Sequence, residues 1–144
     1  MKRSIPAIAL ASGMLFSAAT ASAATPTPDL TGNWETKTYG HHHEEKGYLE
    51  PGKGSGKWSV KEQKGRFFHG ERTYVRKRLD NKTVTEGFSG VISRDGKHLY
   101  MVDHDEDILF GDILDDGSIE LIMLNDGDEN SSARIGVLEI EKAK

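Results

Sequence analysis

The chain has 144 residues, a formal charge of −4 and no cysteine. The length fits one domain, and the acidic balance disfavours nucleic acid and anionic membrane surfaces as partners. The missing thiol excludes disulfides, thioether-linked haem and thiolate metal sites, so an exported form must be stable through its core alone.

Lys2 and Arg3 precede Ile5 to Ala21, an uncharged run of small and apolar residues, and Ala21-Ser22-Ala23 fits a small-x-small cleavage rule. The run is too short for a membrane anchor and polar chain follows it, so residues 1–24 read as a secretory signal peptide. Its removal takes away Lys2 and Arg3 and moves the charge to −6. A periplasmic or secreted protein without a membrane anchor is expected. Residues 25–28 read as a Pro/Thr linker and 29–144 as one β domain.

Beyond the linker, helical periodicity is nearly absent. Short runs rich in β-branched and aromatic residues alternate with Gly and Asp. Eight strands are expected: Leu30–Tyr39, Lys57–Glu62, Arg66–Arg78, Thr83–Ser93, Lys97–Asp103, Asp107–Leu114, Ser118–Leu124 and Ala133–Glu141. Lys64-Gly65, Asp80-Asn81, Asp95-Gly96 and Asp116-Gly117 are tight-turn signals. Sequential hairpins give an antiparallel meander, and eight such strands close into an up-and-down barrel without exposed edges. An open sandwich is the alternative architecture. Gly40 to Gly56 reads as one long loop, the kind that carries function.

Leu30-Thr31-Gly32-Asn33-Trp34 resembles the Gly-x-Trp signature on the first strand of calycin-type barrels, the lipocalins, fatty-acid-binding proteins and avidins. In such barrels a large Trp plugs one end, and a Gly beside it lets backbone pass closely. The resemblance implies structural roles for Gly32 and Trp34, a small-molecule lumen or partner-binding mouth, and a basic residue of the last strand over the Trp, for which Lys142 is the nearby candidate. It does not extend to biotin. Thr36 stands where avidins carry Asn, the two tryptophans are Trp34 and Trp58, and the last strand, "ARIGVLEIEK", has no Asp.

In a meander barrel, alternate loops share an end. Gly40–Gly56, Asp80-Asn81, Asp103–Asp107 and Asn125–Ser132 therefore belong on one rim. In extended chain His41, His43 and Glu45 project from one side. With His104 and Asp105 from another loop, they form a candidate Zn²⁺ or Cu²⁺ set. Polar rim loops built from ordinary turn formers are the plainer account. "DHDED" lacks the Gly and Glu that an EF-hand needs.

A three-residue loop with Gly65 as a bulge pairs Glu62 with Arg66. It puts Trp58, Val60, Phe68, Gly70, Arg72, Tyr74 and Arg76 on one face. Were that face the lumen, Trp58, Arg72, Tyr74 and Arg76 would make a ligand site suited to an anion, and an inward Arg72 would demand a partner. The competing register keeps Trp58 and Val60 inside, adds Phe67 and Val75, and leaves surface arginines to pair with Glu71 or Glu86.

No serine is tied to a histidine by a motif, and no pair of carboxylates is singled out, so an enzyme is not expected. The expected function is an exported β-barrel that binds a small ligand. Two alternatives stand beside it: a divalent-metal protein using the His/acidic rim, and a protein-binding module such as an inhibitor of an exported protease.

Overall fold

The computed structural model describes residues 26–76, 81–105, 107–127 and 132–144, with the backbone alone for Arg76. The expected signal peptide lies outside the described residues, as do Asp80, Glu106, Asp128 and Glu129 of the expected rim.

Among the described residues the chain forms nine strands: β1 Gly32–His43, β2 Gly47–Lys53, β3 Lys57–Lys64, β4 Phe67–Arg76, β5 Lys82–Ile92, β6 His98–Asp103, β7 Ile108–Ile113, β8 Ile119–Asn125 and β9 Arg134–Lys142. Each pairs antiparallel with its neighbours in the order β2-β1-β3-β4-β5-β6-β7-β8-β9, and β1 also pairs with β9. Eight strands therefore close an antiparallel meander barrel, and β2 is an additional strand along its open end.

The expected long loop is where the fold departs from the sequence reading. Gly40–Gly56 is not one loop. β1 runs on to His43, turns through residues 44–46, and returns as β2. β2 lies beside Thr38–His43 and β3 beside Gly32–Glu35. Two bonds carry the ladder between them: Thr36 N–H donates to the Gly56 carbonyl at 2.8 Å, and Gly54 N–H to the Lys37 carbonyl at 3.1 Å. The Gly and Pro that suggest a loop instead let two chains pass closely. A Cβ on Gly40 would sit 2.9 Å from the Pro51 backbone nitrogen, and Pro51 falls where the β1–β2 register shifts, a place that tolerates a missing N–H.

The first hairpin also differs from expectation. Lys64 pairs with Phe67, leaving Gly65-Arg66 as a two-residue loop with Gly65 at φ +60°. The register then shifts between Val60 and Glu62, so Trp58 faces Arg72 and Val60 faces Gly70. The pairing differs from the expected Glu62–Arg66 register by an odd step that the bulge makes even, so the same side chains face inward. Trp58, Val60, Phe68 and Arg72 are buried, while Phe67, inward in the competing register, is 66 % exposed.

The core fills the lower barrel. Trp34 and Trp58 pair across β1 and β3, and Phe68, Phe88, Leu99, Leu109 and Leu121 pack around them. At the closed end Trp34 Nε1–H donates to the Leu30 carbonyl at 2.9 Å, and the Gln63 amide bonds both Leu30 N–H and the Pro28 carbonyl. Lys142 pairs with Trp34 across β9 and β1, its ammonium 5.5 Å from a Trp34 ring centroid. That is the arrangement the Gly-x-Trp resemblance implies.

Candidate ligand site at the open end

The site begins with one extra residue in β1. Its register against β9 shifts between Thr36 and Thr38. A one-residue bulge switches which side chains face inward. Beyond it Tyr39, His41 and His43 line the interior. Tyr39 and His41 ring centroids are 5.3 Å apart, and those of His41 and His43 6.4 Å. His42 falls outside, against Tyr48 at 4.5 Å.

Beneath them lies a buried ionic cluster. Arg72 Nε–H donates to Glu86 at 3.2 Å. Its Nη2 donates to Glu86 at 2.9 Å, to Asp107 at 2.7 Å, and to Asp103. Asp107 also accepts the Asn125 amide at 2.7 Å and lies 3.4 Å from Arg134 Nη2. Asp103 accepts the N–H groups of Asp105 and Asp107, and Tyr74 donates its hydroxyl to Glu86 at 2.6 Å. The guanidinium lies 5.6 Å from the Trp58 ring centroid and 5.1 Å from that of Tyr74.

Burial alone would lower the Arg72 pKa, but Asp107, Asp103 and Glu86 outweigh it and raise the value. Burial likewise pushes the Asp107 carboxyl up, yet the Arg72 and Asn125 hydrogen bonds hold it below the usual carboxylate range. Both groups stay charged at neutral pH, as a buried pair must if its desolvation is to be offset.

Above the cluster opens a cavity of about 450 Å³, a size typical of small-molecule sites. Tyr39, Leu49, Trp58, Tyr74, Met123 and Leu138 give it mostly apolar walls, and Arg72, Asp107, His41 and Arg134 its polar lining. β2 forms one flank, held close by Gly54, where a Cβ would lie 2.3 Å from Thr36 Cγ2. Two buried polar side-chain atoms among the described residues have no hydrogen-bond partner, His41 Nδ1 and Arg134 Nε. Both belong to residues that line the cavity. Burial, then His43 and Arg134, lower the His41 pKa, so its ring is neutral at pH 7.

The expected lumen residues Trp58, Arg72 and Tyr74 do meet in this site. Arg76 ends β4 opposite Lys82, and its side chain is outside the described residues. Arg72 points inward and has the partners its burial demands. Those partners are carboxylates, so its donors are directed at protein rather than at an anionic ligand.

The expected metal set is not brought together. His41 and His43 share the inward side of β1, while Glu45 sits in the following turn with its N–H donating to His43 Nδ1 at 3.2 Å. His104 Nε2 lies 3.1 Å from Ser89 Oγ, its ring over Gly87 of β5. Asp105 is exposed. Among the described residues, no three His, Asp or Glu form a group that could hold a metal.

Sequence reasoning missed Tyr39, Leu49 and Arg134 as cavity residues, and Asp103, Asp107 and Asn125 as partners of the cluster. The available signal was parity: on the last strand Arg134, Gly136, Leu138 and Ile140 share a face. No family model, curated protein or solved structure matches the chain.

Proposed function

We propose that the protein is a calycin-like carrier that binds a small amphipathic molecule in the open-end cavity without transforming it. The observation that carries this reading is the pairing of an apolar cavity with two partnerless nitrogens in its lining. Buried polar atoms in native proteins nearly always have partners. Arg134 Nε–H is a donor, and a neutral His41 can present Nδ1 as donor or acceptor. Because Arg134 already lies near Asp107, a neutral acceptor such as an amide or carbonyl head suits the site better than a full anion. The apolar body would lie against Trp58, Leu138 and Leu49. The Trp34–Lys142 contact supports the calycin resemblance.

Trp58 lines the cavity and Trp34 sits at the closed end, so tryptophan fluorescence of a Trp34→Phe variant reports on the site alone. Titration with a medium-chain fatty amide should give a saturable one-to-one change with a Kd on the order of micromolar. The matching carboxylic acid should bind more weakly. Leu49→Glu, at a 52 % exposed position on the cavity wall, should weaken binding at least about tenfold, roughly the loss of 1.4 kcal/mol. A flat titration with both probes, together with native mass spectra free of co-purified small molecules, would refute the carrier reading.

A further inference from the structure

The outer surface of β6–β9 carries a second feature that the cavity does not use. Tyr100, Phe110, Ile122 and Val137 stand directly opposite one another across the four strands. Two residues along lies a second row of four, Val102, Ile108, Leu124 and Ile135. All eight outward positions of this array are large and apolar, and each is 38–51 % exposed. A polar row bounds it: His98, Asp112, Glu120 and Glu139 occupy the next outward positions. Alternation on an antiparallel strand ordinarily places polar residues on the solvent face. An apolar patch of this size bordered by polar residues marks a contact surface.

We infer that this face is a two-fold interface between copies of the chain. The first argument is area. At 38–51 % exposure, the eight side chains present on the order of 600 Å², so a symmetric contact buries about 1,200 Å² from them alone, within the range of stable interfaces. The second is shape. One end of the array is a groove of about 350 Å³ walled by Phe67, Val91, Tyr100, Val102 and Phe110. The other end is the aliphatic surface of Ile122, Leu124, Ile135 and Val137. A two-fold axis in the contact plane, along the strands between β7 and β8, sets this aliphatic surface of each copy over the groove of the other, as an isologous contact requires.

A membrane-spanning band does not fit. Such a band encircles the barrel and is about 25 Å tall, whereas this array is two residues tall and β4 and β5 present His69, Glu71, Thr73, Thr83 and Thr85 outward.

Sedimentation equilibrium of the full chain, processed as its host leaves it, should give the mass of a dimer at tens of micromolar. The double variant Phe110→Glu/Ile135→Glu should give a monomer whose circular dichroism matches the parent. The chain has no cysteine, which allows a second test that leaves the face largely intact. Ile122→Cys, beside the axis, should form a disulfide-linked dimer under oxidised glutathione, and Thr85→Cys on the polar face should not. A monomeric parent at 100 micromolar overturns the inference, and so does equal cross-linking at both positions. So does a monomer that floats with phosphatidylglycerol/phosphatidylethanolamine vesicles, which would assign the face to a lipid surface.

Discussion

The two ends of the barrel are built from the same strands and solve opposite problems. At the closed end Trp34 is buried, its one polar atom is bonded to the Leu30 carbonyl, and Gln63 ties down the chain beneath it. At the open end the chain buries an arginine among three carboxylates and leaves two nitrogens without partners among the described residues. One end is finished by its own residues. The other is organised but incomplete, and the incompleteness faces a cavity.

The comparison can be broken most forcefully at the two anchors. Trp34→Ala should cost about 3–5 kcal/mol in urea denaturation by opening a cavity in the core. The surviving folded fraction should bind the amide probe with parental affinity. Arg72→Met should cost a similar amount, about 3–5 kcal/mol, because it strands buried carboxylates without their cation. It should also weaken probe binding, since Arg72 holds the cavity floor. Equal effects of both variants on binding would erase the distinction between the ends.

Acid should then act on the open end. The folded Asp107 pKa lies below its unfolded value of about 3.9. Its stabilisation is therefore complete above the unfolded value and lost as pH falls through the folded one. His41 titrates higher. Its folded pKa is also depressed, so the unfolded chain takes up the proton first and stability declines as pH drops below about 6.5. Thermal midpoints measured from pH 3 to 8 should be flat above pH 7 and fall in two stages below it. His41→Gln should remove the upper stage and leave the lower. An unchanged upper stage would place the titrating group elsewhere.

The smallest effect is expected at the closed end's rim. Lys142→Met removes an exposed ammonium from the Trp34 ring, worth about 0.5–1 kcal/mol. Denaturation midpoints resolve that, and binding should not change.

Much of this plan is legible in the residues. The short β-forming runs, the turn glycines at 65, 96 and 117, and the Gly-x-Trp opening point to the meander barrel and its closed end. The open end is harder to read because it depends on single inserted residues. The shift between Thr36 and Thr38 turns Tyr39, His41 and His43 inward, and nothing in Thr-Lys-Thr announces it. The first hairpin's register is hard to read for the same reason, since its bulge lies between Val60 and Glu62 rather than at Gly65. β2 is hidden because Gly and Pro also serve close backbone approach. Arg72 is the instructive case. Its inward position belongs to one of the two registers that the residues allow, and its partners come from β5, β6 and the chain entering β7, so long-range pairing decides both.

Chemical-shift mapping tests the central claim most directly. With a medium-chain fatty amide added to ¹⁵N-labelled protein, amide shifts should concentrate at Tyr39, His41, Leu49, Tyr74 and Arg134. Gly32, Trp34 and Lys142 at the closed end should stay still. Saturable shifts that cluster instead at the closed end or on the outer face of β6–β9, or no shifts at all, would contradict the account.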